Sequence, residues 1–383
     1  MTRSVRIAQI ALPLVIVFVV LGRGGPVAAQ ARWMDSKLPQ ADMAIDDAVR
    51  AQVIDASLAA LRRDYVFPTI AAALDTAIRD RVKAHAYDRL SARAFAEALT
   101  RDLLAVSHDK HLRVRYSAEP IPDEPPGAMG PSAEDRARSH EMTQRQNAGF
   151  VQVDRLDGNI GYLRLDGFMD PAEAGPRAAA AMALLAETDA LILDLRHNHG
   201  GIPDTVALIV SYLYSGDARV HINDLTGHGA REFWNAASLP GPRYADKPVY
   251  VLTSHETFSG GEECAYDLQA QKRATIVGEV TGGGANGGRP TKVSAHFLLF
   301  VPAGRPVNPV TKTNWEGVGV QPDVAVAAAK ALDVAYLDAL RQQRATARYQ
   351  RDGHLREEVD RAVAPLEAAR PAIPRVVTKP AGG

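Results

Sequence analysis

A single cysteine in 383 residues, Cys264, excludes an internal disulfide, and without a second thiol it excludes a cysteine-based metal motif too. Cys264 is therefore read as a small buried apolar residue rather than a reactive thiol. No charge of one sign dominates either: Lys and Arg number 44 against 45 Asp and Glu, a formal net charge of −1. No basic block of the kind that tracks a phosphate backbone is present, so nucleic acid is not an expected partner. Long apolar runs are missing beyond the N-terminus, which excludes a polytopic membrane protein. With 46% hydrophobic and 23% charged residues, wholesale disorder is excluded as well. What is left is a soluble globular class, and a length that, at roughly 150 residues per domain, implies two units sharing a core large enough to enclose a site.

The N-terminus has the form of an export signal. Arg3 and Arg6 precede the apolar run Ile7 to Leu21, and Val27-Ala28-Ala29 offers small residues for cleavage after Ala29. A run of about 15 residues is short of the roughly 20 that a bilayer span needs. Removing residues 1–29 takes away Arg3, Arg6 and Arg23 and moves the formal charge to −4. The expected location is periplasmic or secreted, with no stable membrane insertion after cleavage.

Periodicity divides the remainder into a helical N-terminal domain (30–117), a linker (118–148), an α/β core (149–328), and a C-terminal helix with a flexible tail (329–383). Val53, Ile54, Leu58 and Leu61, then Ile70, Ala73, Leu74 and Ile78, recur at helical spacing, and Pro68 breaks one helix and opens the next. Pro120, Pro122, Pro125, Pro126, Gly127, Gly130 and Pro131 mark the linker. After it the pattern alternates. Strands are expected at 160–165, 190–195, 249–252 and 274–278, with helices at 171–187, at 204–213 and from near Ser259. That order is βαβ, and it predicts a largely parallel sheet with active groups at the carboxyl ends of its strands. Residues 329–349 are also expected to be helical, and 371–383 frayed.

Ser259, in Thr257-Phe258-Ser259-Gly260-Gly261-Glu262-Glu263, stands where such a strand gives way to a helix. There a hydroxyl can face the site while the helix N-terminus offers N–H donors to a developing oxyanion. The same serine also suits an N-cap, with Glu262 as its capping-box partner, and this stretch alone supports both readings. The loop Arg196-His197-Asn198-His199-Gly200-Gly201 follows another strand, and its paired glycines allow a tight turn with N–H groups aimed at a ligand. His197 and His199 lack a carboxylate or thiol at ligand spacing, so no metal or cofactor is expected. A serine nucleophile needs a base, and His111 and His255 are among several candidates that spacing does not separate.

Four blocks taken in order carry a resemblance. They are Asp109-Lys110-His111, Asp194 to Gly201, Thr257 to Glu263 continuing into Gly278 to Asn286, and Asn314-Trp315-Glu316-Gly317 to Asp323. With them the chain resembles the tail-specific, or C-terminal processing, serine peptidases of family S41. The branch is the one that includes tricorn-like and interphotoreceptor-retinoid-binding-protein-like domains. The resemblance implies a ClpP/crotonase-like core. One branch of the family activates its serine with a lysine, but 25 positions after Ser259 this chain has Gly284, and Lys292 lies eight residues further on. The other branch implies His111 as general base and Glu316 as the carboxylate that orients it. Tricorn-like sites add a serine directly before the histidine, where this chain has Lys110. The implied oxyanion donors are Gly260 and the Gly200-Gly201 turn. Residues 118–148 are too few for an inserted PDZ module.

The implied function is hydrolysis of peptide bonds in peptides or unfolded protein tails through an acyl-enzyme. Two other readings stand beside it: a non-catalytic module that binds an apolar ligand, and an esterase acting on a small metabolite.

Overall fold

The computed structural model describes residues 40–123, 133–227 and 229–368. The expected signal at 1–29, part of the linker (124–132) and the tail at 371–383 lie outside the described residues.

Three helices open the described chain: α1 (Asp47–Asp64), α2 (Pro68–Lys83) and α3 (Ala92–Ser107). Asp46 caps α1 by accepting from Val49 N at 2.8 Å, and Pro68 takes the first turn of α2, where its missing N–H has no partner to lose. α3 stops at His108, which turns left-handed (φ 55°), and the chain runs through 109–112 into β1 (Arg113–Tyr116). α4 (Ala133–Arg145) lies inside the expected linker.

The core then alternates: β2 (Phe150–Leu156), β3 (Ile160–Leu165), α5 (Pro171–Leu185), β4 (Ala190–Asp194), α6 (Pro203–Ser211), β5 (His221–Gly227), β6 (Arg231–Trp234) and β7 (Val249–Thr253). It continues with α7 (Gly260–Ala270), β8 (Thr275–Gly278), β9 (Gly287–Ser294), β10 (Phe297–Val307) and β11 (Val324–Ala325). The chain closes with α8 (Ala328–Arg344), α9 (Ala347–Arg351) and α10 (Gly353–Ala368).

The expected sheet has the order β11-β8-β7-β4-β3-β2 and is parallel except where β2 meets β3. Every residue of β4 and β7 is buried, as strands covered on both faces require. α5, α6 and α7 contribute buried residues to the core on one face, and α8 and α10 to that on the other. A second sheet was not expected. It is antiparallel, in the order β1-β10-β5-β6 with β9 also on β10. The N-terminal helices pack on it, so Leu58, Leu61, Leu74, Phe95 and Leu99 share a core with Val114, Tyr116, Phe297 and Leu299. Through β1 the helical region is bonded to the strands that follow the serine loop.

α7 buries three acids. Glu263 and Asp267 lie one turn apart at 3% and 0% exposure, flanking the fully buried Cys264. Asn223 donates to Glu263 Oε1 (3.1 Å) and Asn308 to Asp267 Oδ1 (2.9 Å), while Asp267 Oδ2 has no hydrogen bond among the described residues. Burial pushes Glu263 up to about 7 and, with the Glu263 charge added, pushes Asp267 well above its usual range. A carboxyl raised in the fold stabilises fully below its unfolded value near 4 and loses that contribution as pH climbs through the folded value. The melting temperature should therefore fall between pH 5 and pH 8. Asp267→Asn, which keeps the Oδ1 acceptor and removes the charge, should flatten that slope and add about 1–3 kcal/mol at pH 8. Equal melting temperatures for the wild type at pH 5 and pH 8 would contradict this.

Candidate active site

Ser259 sits between β7 and α7, at the carboxyl end of the parallel sheet. The segment leading to it is stitched to the loop after β4. Ser254 Oγ donates to Arg196 O (2.5 Å), Thr257 Oγ1 to Leu195 O (2.8 Å) and Phe258 N to Asn198 O (2.9 Å). The turn holds Ser259 at φ 57° and ψ −121°, a conformation that costs a non-glycine residue about 1–3 kcal/mol and persists only where its surroundings dictate it. It has the form of the strained elbow on which strand-to-helix nucleophiles stand. Ser259 is the N-cap of α7 and its backbone N–H donates to Glu262 Oε2 (2.8 Å), while its Oγ lies 2.9 Å from His111 Nε2.

Glu262 does more than cap. Its Oε1 accepts from Thr281 Oγ1 (2.5 Å) and Gly283 N (2.6 Å), and its Oε2 accepts from Gly284 N (2.9 Å) in addition to Ser259 N. This fully buried carboxylate ties the serine turn to the loop 281–284. Burial pushes it up to about 7, against the pull of those donors.

His111 enters from the turn between α3 and β1. Its ring lies beside those of Phe258 (centroids 4.7 Å apart) and Phe300 (5.8 Å). Burial, aided by the Arg113 charge, pulls the imidazole down to about 3, so it stands neutral and can accept the Ser259 proton. Glu316 is held by two backbone amides, Ala285 N (2.5 Å) and Asn286 N (3.1 Å), both on Oε2. Its Oε1 is buried without a hydrogen bond among the described residues. One carboxylate oxygen of Glu316, one of Asp109 and a ring nitrogen of His111 all lie within 4.8 Å of one another. The structure thus brings Ser259, His111 and Glu316 together, and adds Asp109, two residues before His111 in the same motif. Asp109, His111 and Glu316 have the donor types of a cation site, yet most of these atoms are already engaged. Asp109 accepts from His111 N, Tyr65 and Asn286, Glu316 Oε2 accepts from two amides, and Nε2 faces the serine.

Gly200 packs against the serine turn at φ 100° and Gly201 against the Phe168 backbone at φ 146°, both values at which a side chain is strained. The Gly200 N–H donates to Asn198 Oδ1 (2.8 Å), so that amide is taken. The Gly201 N–H is not used by the bridge to Phe168, whose hydrogen bonds run from Phe168 N to Gly200 O and from Ile202 N to Phe168 O.

The sequence model of peptidase family S41 matches residues 159–326, and that of the N-terminal domain of peptidase S41 in eukaryotic IRBP matches residues 44–150. The chain belongs to peptidase family S41. A carboxy-terminal-processing protease of Bartonella bacilliformis is 29% identical over 187 residues, 45% of this chain and 40% of that protein. A carboxyl-terminal-processing protease of Synechocystis sp. is 34% identical over 138 residues, 36% of this chain and 31% of that protein. The matched segments therefore span well under half of these relatives. A lipoprotein from Streptococcus agalactiae superposes with a TM-score of 0.53 at 14% identity, covering 80% of this chain and 98% of the other, and shares the fold.

Within this S41 chain, the positions that the two ways of activating a serine would use have different surroundings. A β-carbon on Gly284 would stand 3.0 Å from His111 Cε1 and overlap the Phe258 ring, so the space a lysine at 284 would enter is filled by His111 and its aromatic neighbour. Lys292 points away: its Nζ bonds Ile121 O (2.6 Å) and Asp123 Oδ1 (2.6 Å). Lys110 donates to Gly282 O (2.5 Å), and Ser107 Oγ accepts from Asp109 N (3.1 Å), so neither reproduces a serine beside the histidine. His255 pairs with Glu279 (3.0 Å). His197 meets a carboxylate that spacing did not reveal, Glu256 (3.1 Å), on the exposed surface.

Proposed function

We propose that this S41 chain is a serine peptidase that hydrolyses peptide bonds in peptides or unfolded protein tails through an acyl-enzyme. The observation that carries this reading is the 2.9 Å contact between Ser259 Oγ and the neutral, buried His111 Nε2. His111 takes the Ser259 proton as Oγ attacks the carbonyl, then returns it to the departing amine, and repeats the exchange with water. Glu316 orients the ring and balances the imidazolium charge. The developing oxyanion is met by the N–H of Gly260 at the start of α7 and the N–H of Gly201, with Gly200 shaping the turn rather than donating. The names of the relatives, carboxy-terminal-processing proteases, support protein tails as the substrate class. The basic start, apolar run and small residues of 1–29 support export and a periplasmic or secreted location. Among the described residues no helix is long and apolar enough to cross a membrane.

A fluorophosphonate probe tests the assignment. It should modify Ser259 stoichiometrically, as read by peptide mass spectrometry, and labelling should be lost in His111→Ala. Absence of label on Ser259 in folded wild type, together with saturable binding of a fatty acid, would replace this reading by the apolar-ligand one. Cleavage of a nitrophenyl ester with intact casein would favour the esterase.

A further inference from the structure

His111 has two carboxylates beside it, not one. Asp109 is 1% exposed and approaches the ring as Glu316 does, the three ligand atoms lying within 4.8 Å of one another. Its contacts are specific. Oδ1 accepts from His111 N (2.9 Å) and so fixes the backbone that carries the base, while Oδ2 accepts from Tyr65 OH (3.2 Å) and Asn286 Nδ2 (3.0 Å). Asn286 holds both acids, since its backbone N–H donates to Glu316 Oε2 (3.1 Å). Any shift of Asp109 is therefore transmitted to the base directly and to Glu316 through one residue.

A buried and a half-buried carboxylate this close disfavour a double charge at neutral pH, because their repulsion is little screened. We infer that Asp109 is a positioning residue for His111 and forms with Glu316 a carboxyl pair that keeps one proton and presents one negative charge to the imidazole. The inference rests on the serine-hydrolase reading above and deepens it. The charge balance suits the chemistry. When the Ser259 O–H bond breaks and an N–H bond forms at His111 Nε2, one positive charge appears on the ring and meets one negative charge on the pair, whose own proton stays in place. A doubly ionised pair would leave a second buried negative charge that stays unmatched even when the imidazolium forms, and a neutral pair would leave the imidazolium unmatched. The other ionisable groups acting on the cluster are the Tyr65 hydroxyl, Arg113 and Glu262. Burial first, and the Asp109 charge second, push Glu316 up to about 7, and burial raises Asp109 as well.

The test follows the rate of fluorophosphonate labelling of Ser259 against pH, so that no natural substrate is needed. In the wild type the acid limb of that profile reports the pair acting as a unit, because His111 is already neutral there. Asp109→Asn removes the charge that helps hold Glu316 up, so Glu316 ionises at lower pH. The acid limb should move down by about half to one pH unit, while the maximal labelling rate falls roughly 10- to 100-fold and probe affinity stays within about twofold. Tyr65→Phe withdraws a donor from ionised Asp109, shifts the shared proton toward it, and should move the limb in the same direction by less. It serves as the second variant if Asp109→Asn does not fold, as judged by circular dichroism. Labelled wild type with an unmoved limb in the folded variants rejects the Asp109 assignment alone. A wild type that takes no label rejects the serine-hydrolase reading instead.

Discussion

Replacing Ser259 with alanine should lower cleavage of unfolded casein by about 10⁴-fold or more, and His111→Ala should do the same, with the double variant little worse than either. The non-additivity is the informative part. Oγ is a poor nucleophile while it keeps its proton, and Nε2, at 2.9 Å, is the acceptor placed to remove it. Removing either group leaves the other without work, and what survives is the binding of the substrate and the stabilisation of its oxyanion. Lys292→Ala should stay within about twofold of wild type, because its ammonium is spent on Ile121 O and Asp123 rather than on the serine. A Lys292→Ala enzyme as inactive as Ser259→Ala, beside an active His111→Ala, would reinstate a lysine dyad and overturn the assignment.

The parallel sheet was legible because its strands are short apolar runs closed by turn residues, and 190–194 and 249–253 are apolar on both faces, as strands of a parallel sheet covered by helices are. The antiparallel sheet was not. β9 carries Gly287, Gly288 and Pro290, and β10 carries Pro302, Gly304 and Pro306, residues that read as breakers of a strand. Pro302 and Gly304 are tolerated because the pairing of these two strands shifts register between them. α10 was missed for a similar reason. Leu355, Val359 and Val363 form a clear buried stripe at helical spacing, but Pro365 and the nearby tail hid it. At the site, only the resemblance pointed to Ser259, His111 and Glu316 together, since 148 residues separate Ser259 from His111 and no local pattern spans that gap. Asp109 stands two residues before His111 in the sequence. Only the convergence of three chain segments shows that it faces the ring. Glu262 was read as a cap, which it is, and its second task of holding the loop 281–284 depends on contacts across that turn.

Gly200→Ala should nearly inactivate the protein while leaving Ser259, His111 and Glu316 unchanged. A β-carbon at 200 would stand 2.7 Å from Ser259 Cβ, 2.8 Å from Gly260 N and 3.0 Å from Phe258 O, and two of those atoms are backbone that cannot swing aside. The position also has φ 100°, which an alanine adopts only under strain. Relief must come from moving the serine turn, and a displacement of about 1 Å costs on the order of 100-fold in a reaction that depends on aligned atoms. The same movement shifts the Gly260 amide proposed for the oxyanion, so the two losses compound, and the rate of fluorophosphonate labelling should fall about 10³-fold or more. Stability should fall by about 1–3 kcal/mol, read as a lower midpoint in urea. Gly353→Ala is the matched control. A β-carbon there meets nothing within 4 Å, so both stability and labelling should stay near wild type. Wild-type labelling by folded Gly200→Ala would mean that the loop after β4 does not brace the nucleophile, and the oxyanion assignment of Gly260 and Gly201 would fall with it.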